Sequence, residues 1–135
     1  MAGGPTEMSP ASRRPLLLLV DDDDAGAHAL ARMLSDDGFE VEWVREGNAA
    51  IDRLSRAPLP EGLITDLYPP HADGLTIARL ARSQRPMMLA IVLTGHPELA
   101  VCRGESFVPA LVVLAKPLDY EILTRTLRGL LHVAA

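Results

Sequence analysis

Leu16-Leu17-Leu18-Leu19-Val20 runs straight into Asp21-Asp22-Asp23-Asp24: five apolar residues without a break, then four carboxylates. The apolar run is far too short to span a membrane, which takes about 20 residues. It suits a strand buried on both faces, as in a parallel sheet. The chain therefore leaves a dry sheet and sets several negative charges at one strand end. Crowded like charges destabilise one another, so the acids must spread into solvent or hold something positive among them. In open α/β sheets the carboxyl ends of strands are also where ligands bind.

Outward from that stretch, the pattern repeats. Leu30, Met33 and Leu34 predict a helix that stops at Asp37-Gly38, with Gly26, Leu30, Met33 and Leu34 as its apolar face and Asp23 or Asp24 at its start. Glu40 to Val44 alternates and reads as an edge strand with one wet face. Gly47, Ala50, Ile51 and Leu54 form a second helical stripe. Gly62-Leu63-Ile64-Thr65-Asp66 is a strand ending in another aspartate, and the adjacent Pro69-Pro70 forbid a helix directly after it. Asp73 caps a helix from Leu75 to about Gln84. Met87 to Leu93 reads as an all-apolar strand ending in Thr94-Gly95, followed by a short helix from Pro97 that Gly104 interrupts. Ala110 to Ala115 reads as a last buried strand ending in Lys116-Pro117. Leu123, Leu127, Leu130 and Leu131 line a closing helix.

Strand then helix, five times over, predicts an α/β fold: a doubly wound, five-stranded parallel sheet with five helices and right-handed crossovers. The wet strand belongs at an edge and the strand before the aspartates inside, which the flavodoxin-like order 2-1-3-4-5 satisfies. Residues 1–15, rich in small residues and proline, are expected to form a flexible tail, and 16–135 one domain.

Composition narrows the function. A net charge of −5 with no basic stripe argues against direct nucleic-acid binding. The single cysteine, Cys102, excludes an internal disulfide framework and fits a reducing cytoplasm. The histidines His28, His71, His96 and His132 are scattered, without the spacing of a zinc site. No membrane segment is evident.

The chemistry lies at the strand ends. Asp21, Asp22, Asp66, Thr94 and Lys116 should converge on one rim, because parallel strands end on the same side. Oxygen donors suit Mg²⁺, and an aspartate beside it can accept a phosphoryl group. Alone, the aspartates could be a solvated helix cap and Asp66 a turn residue before prolines. Together they resemble the receiver domain of two-component response regulators. The likeness runs from about Leu16 to Val133. Its motifs are Val20-Asp21-Asp22-Asp23, Asp66 through Gly74, Leu93-Thr94-Gly95 and Ala115-Lys116-Pro117, in order and each at a strand end.

That resemblance implies the roles. Asp66 takes a phosphoryl group from a sensor histidine kinase or phosphotransfer protein. Asp22 binds Mg²⁺ directly, Asp21 acts mostly through water, and the Tyr68 backbone carbonyl completes the metal shell. Lys116 pairs with Asp66 and then with phosphate, while Thr94 hydrogen-bonds the phosphate. Pro70, Asp73 and Gly74 shape the loop, and Lys116-Pro117 carries a cis peptide. Tyr68 and His96 flank the acceptor, and their bulk predicts slow loss of the phosphate. The chain is expected to act as a signalling module rather than an enzyme, without an output domain. Signalling would pass through protein contacts to an unknown output protein, with a homodimer left open. Two departures stand out: Val113 replaces the family's aromatic three residues before the lysine, and Pro109 replaces a common glycine. They favour the rival reading, a pseudo-receiver that binds partners or dimerises without phosphorylation. A flavodoxin is excluded by the lack of a phosphate-cradling loop after the first strand.

Overall fold

A computed structural model describes residues 13–131. The tail assigned to 1–15 and His132 therefore lie largely outside the described residues. The elements alternate: β1 Leu16–Val20, α1 Asp24–Asp36, β2 Glu40–Val44, α2 Gly47–Leu54, β3 Gly62–Asp66, α3 Gly74–Gln84, β4 Leu89–Thr94, α4 Pro97–Arg103, β5 Val112–Ala115 and α5 Tyr120–Leu131. The five strands form one parallel sheet in the order β2-β1-β3-β4-β5. The doubly wound, flavodoxin-like fold is thus present.

The continuous apolar runs of β1, β3 and β4 are explained by burial on both faces. Leu18, Val20, Leu63, Ala90 and Val92 meet Ala50 and Leu54 of α2, Leu75 and Ala78 of α3, and Ala100 of α4. Leu17, Leu19, Ile64, Ile91 and Leu93 point the other way and meet Leu30 and Leu34 of α1 and Leu123 and Leu127 of α5. Each fully buried side chain of this size contributes about 1.5–3 kcal/mol of transfer free energy, so the central strands are pinned from both sides. Slipping a strand by one residue would exchange its two core faces.

Several local expectations need correction. In α1 the buried residues are Ala27, Leu30 and Leu34; Met33 is 43% exposed and Gly26 is exposed. Leu30 and Leu34 face inward as expected, with Ala27 rather than Gly26 and Met33 completing the stripe. Leu130 likewise faces outward in α5, at 55% exposure. β4 begins at Leu89, because Met87 turns outward in the preceding turn. β5 is short and half-buried rather than fully buried, because it closes the sheet edge. Gly38 does end α1 with a φ of +102°, the left-handed conformation in which glycine has no Cβ penalty.

Urea unfolding checks the orientation of α1. Leu34→Ala should cost about 2–5 kcal/mol. Met33→Ala should stay within about 0.5 kcal/mol. Equal losses would put the wrong face of α1 against the sheet.

Candidate functional site

Strand register assembles the site. Val20 pairs with Thr65, Asp66 with Leu93, and Thr94 with Ala115. Asp21, Asp66, Thr94 and Lys116 therefore follow one another across the carboxyl rim of neighbouring strands. The carboxylates of Asp21, Asp22 and Asp66 each offer an oxygen, and the three oxygens lie within 4.8 Å of one another. They adjoin a shallow cavity of about 270 Å³ lined by Asp22, Asp66, Tyr68, Thr94, His96 and Lys116. Asp22, Asp66, Thr94 and Lys116 are thus brought together around one cavity, with Asp21 beside them.

Asp66 and Asp21 are buried, while Asp22 is open to solvent. Lys116 Nζ sits 2.7 Å from Asp66 Oδ1. This ion pair is the one cationic contact of the Asp66 carboxylate among the described residues. Burial pushes the Asp66 carboxyl up from 3.8 to about 6. The Lys116 ammonium pulls it down, and the Asp21 charge adds to the rise. One ammonium is too little positive charge for three acids at this spacing. The three convergent carboxylate oxygens, an all-oxygen donor set, fit a hard divalent cation.

The backbone holds the acids in place. Asp21 Oδ1 accepts from the Asp23 amide at 2.9 Å, and the Asp21 carbonyl accepts from Trp43 Nε1 at 2.8 Å. Asp23 takes the N-cap position of α1 without a side-chain capping bond. Trp43 thus helps fix the Asp21 backbone. Arg45, which pairs with Asp24, stacks on its ring with the guanidinium carbon 5.1 Å from the ring centroid.

The loop after Asp66 is equally constrained. Asp73 Oδ1 caps α3 by accepting from the Leu75 amide at 2.7 Å. The Gly74 amide donates to the Leu67 carbonyl at 2.7 Å. A Cβ on Gly74 would lie 2.2 Å from the Asp66 carbonyl oxygen, so no larger residue fits beside the end of β3. The Pro70 carbonyl accepts from the Gly47 amide at 2.7 Å, and His71 turns the loop with a φ of 69°. Lys116-Pro117 is cis, as are Ala57-Pro58 and Val108-Pro109.

On the other side of the cavity, Thr94 Oγ1 accepts from the His96 amide at 2.9 Å, and the Thr94 carbonyl accepts from the Lys116 amide at 2.8 Å. Val113 is half-buried against the core. Sequence reasoning missed Arg103. Its Nη2 lies 2.5 Å from Asp73 Oδ2, and its Nη1 donates to the Tyr68 hydroxyl at 2.9 Å. An arginine on a short, irregular helix carried no signal of that pairing.

A family model described as "Response regulator receiver domain" matches residues 17–128. The chain belongs to that family. The receiver is 33% identical over 116 residues to response regulator MprA of Mycobacterium avium, covering 86% of this chain and 50% of the relative. It thus spans about half the length of the curated relatives it matches. Among solved structures, it resembles a response regulator receiver protein from Sinorhizobium medicae at 30% identity and a TM-score of 0.80, covering 89% of this chain and 96% of the other. It also resembles chemotaxis response regulator CheY4 of Vibrio cholerae at 28% identity and a TM-score of 0.76, covering 87% and 99%. The receiver is a two-component signalling module whose acidic pocket is consistent with a phosphoacceptor site. Among the described residues, no helix is long and apolar enough to cross a membrane.

The raised Asp66 pKa has a stability consequence. The folded receiver keeps the Asp66 proton to higher pH than the unfolded chain, so it holds more protons between about pH 4 and 6. With metal chelated, stability should fall as pH rises through that window, by about 3 kcal/mol at most, taking 1.36 kcal/mol per pKa unit. Asp66→Asn should lack this fall in urea titrations at stepped pH. An equal fall in both proteins would contradict the assignment.

Proposed function

We propose that this receiver accepts a phosphoryl group on Asp66 from a phosphohistidine of a sensor histidine kinase or phosphotransfer protein. It would then signal through altered protein contacts. The observation that carries the reading is the buried Asp66 carboxylate, ion-paired to Lys116 and clustered with Asp21 and Asp22 at the strand ends.

An Asp66 carboxylate oxygen attacks phosphorus, a P–O bond forms as the P–N bond to histidine breaks, and the imidazole leaves with the electron pair. Phosphoryl transfer asks the protein mainly for positioning and for neutralisation of the phosphoryl oxygens. Asp22, Asp66 and the Tyr68 carbonyl would hold Mg²⁺, with Asp21 acting mostly through water. Bound there, Mg²⁺ supplies the positive charge that lets an anionic donor approach three acids. Lys116 supplies the second cation. Its side chain is 44% exposed, so it is free to exchange the carboxylate for a phosphoryl oxygen. Thr94 has a hydroxyl at the cavity, and its reorientation would release the His96 amide at the start of α4. Pro70, Asp73, Gly74 and Pro117 keep the two flanking loops in shape. Tyr68 and His96 stand at the rim, where they would slow the entry of a hydrolytic water.

Acetyl phosphate with Mg²⁺, followed by intact mass, tests the proposal. The wild type should gain one phosphoryl group. Asp66→Ala should gain none, and chelation should prevent the gain in the wild type. A folded wild type that gains none overturns phosphorylation and leaves the pseudo-receiver reading, in which the same fold signals by binding alone.

A further inference from the structure

Tyr68 is 61% exposed, so packing does not fix its ring. Among the described residues, its hydroxyl has one side-chain hydrogen-bond partner, Arg103 at the C-terminal end of α4. The same guanidinium reaches Asp73 at 2.5 Å and lies 5.7 Å from the Tyr68 ring centroid. A planar fork suits such divided contacts, because its two arms donate in fixed directions while its face stacks. Tyr68 and Asp73 stand near the two ends of the loop between Asp66 and α3. At its other end, α4 is joined to the pocket by the His96 amide, which donates to Thr94 Oγ1. A helix of seven residues therefore contacts the site from both ends, locally through Thr94 and at long range through Arg103.

We propose that Arg103 is a positioning residue: it clamps the loop after Asp66 to the far end of α4, holding the Tyr68 backbone in register with the acidic pocket and coupling that loop to the helix. This rests on the phosphoacceptor reading, since the Tyr68 carbonyl is there a metal ligand. An ion pair between side chains 35% and 26% exposed adds little to global stability. Its effect belongs at the pocket, where partners that orient a ligand set metal affinity. Cys102 and Glu105, on either side of Arg103 in sequence, are exposed and make no such contact among the described residues.

The test follows phosphorylation of the full chain by acetyl phosphate at graded Mg²⁺, read by intact mass, with melting temperature in parallel. Arg103→Ala should still be phosphorylated on Asp66, but its half-saturating Mg²⁺ should rise about tenfold, with the melting temperature near that of the wild type. Arg103→Lys keeps a charge for Asp73 but lacks the second arm, so it should fall between. If Arg103→Ala fails to fold, Tyr68→Phe decides, because it removes only the hydroxyl: a smaller rise supports the clamp. Wild-type Mg²⁺ dependence in a folded Arg103→Ala, or in Tyr68→Phe where that variant decides, overturns the clamp while leaving the phosphoacceptor reading intact. A wild type that takes no phosphoryl group overturns both.

Discussion

Three carboxylates held within 4.8 Å of one another, with one ammonium among them, are the constraint on which the rest of this receiver turns. The sheet creates the problem and also contains it. β1 and β3 are buried on both faces, so their ends cannot swing away, and Asp21 and Asp66 stay where the strands leave them. The core stabilises the fold strongly enough to hold that repulsion. The raised Asp66 pKa comes first from burial, with the Asp21 charge adding to it. A site that is uncomfortable when empty of cations is one that a divalent ion and a phosphoryl group can reorganise.

The surrounding loops are built to keep that discomfort local. Gly74 lets α3 start against the Asp66 carbonyl, at a distance that would admit no Cβ. Asp73 caps the same helix and takes Arg103 on its other oxygen. The Thr94 hydroxyl, at the end of β4, accepts from the His96 amide at the start of α4. With Val113 in place of an aromatic, β5 has no large ring to move inward. The polar ties at the two ends of α4 are the contacts through which a change at Asp66 could reach a partner.

Much of this was legible in the sequence, and for physical reasons. Unbroken apolar runs of strand length have few other solutions, and their polar terminal residues named the rim. Asp66, Lys116 and Thr94 could be placed because each directly ends a strand. Helix faces were less legible. In α1 the small Ala27 packs inward with Leu30 and Leu34 while Met33 is exposed, since a small residue packs close to the sheet and a flexible thioether tolerates solvent. The half-buried state of β5 was hidden because an edge strand can be as apolar as a central one. Arg103 and the Trp43 bond to Asp21 could not be read at all. Both depend on long side chains crossing between elements distant in sequence, for which no local periodicity exists.

The central claim is that the acid cluster is a cation site. Trp43, the only tryptophan, lies beside Asp21 and reports unfolding by its fluorescence. Urea unfolding at increasing Mg²⁺, with ionic strength held constant by NaCl, therefore measures the claim directly. The account predicts a stability that climbs with Mg²⁺, reaching about 2.7 kcal/mol at a hundred times the dissociation constant, and a climb that is lost in Asp22→Ala. Stability independent of Mg²⁺ in the wild type, or an equal climb in Asp22→Ala, would contradict it.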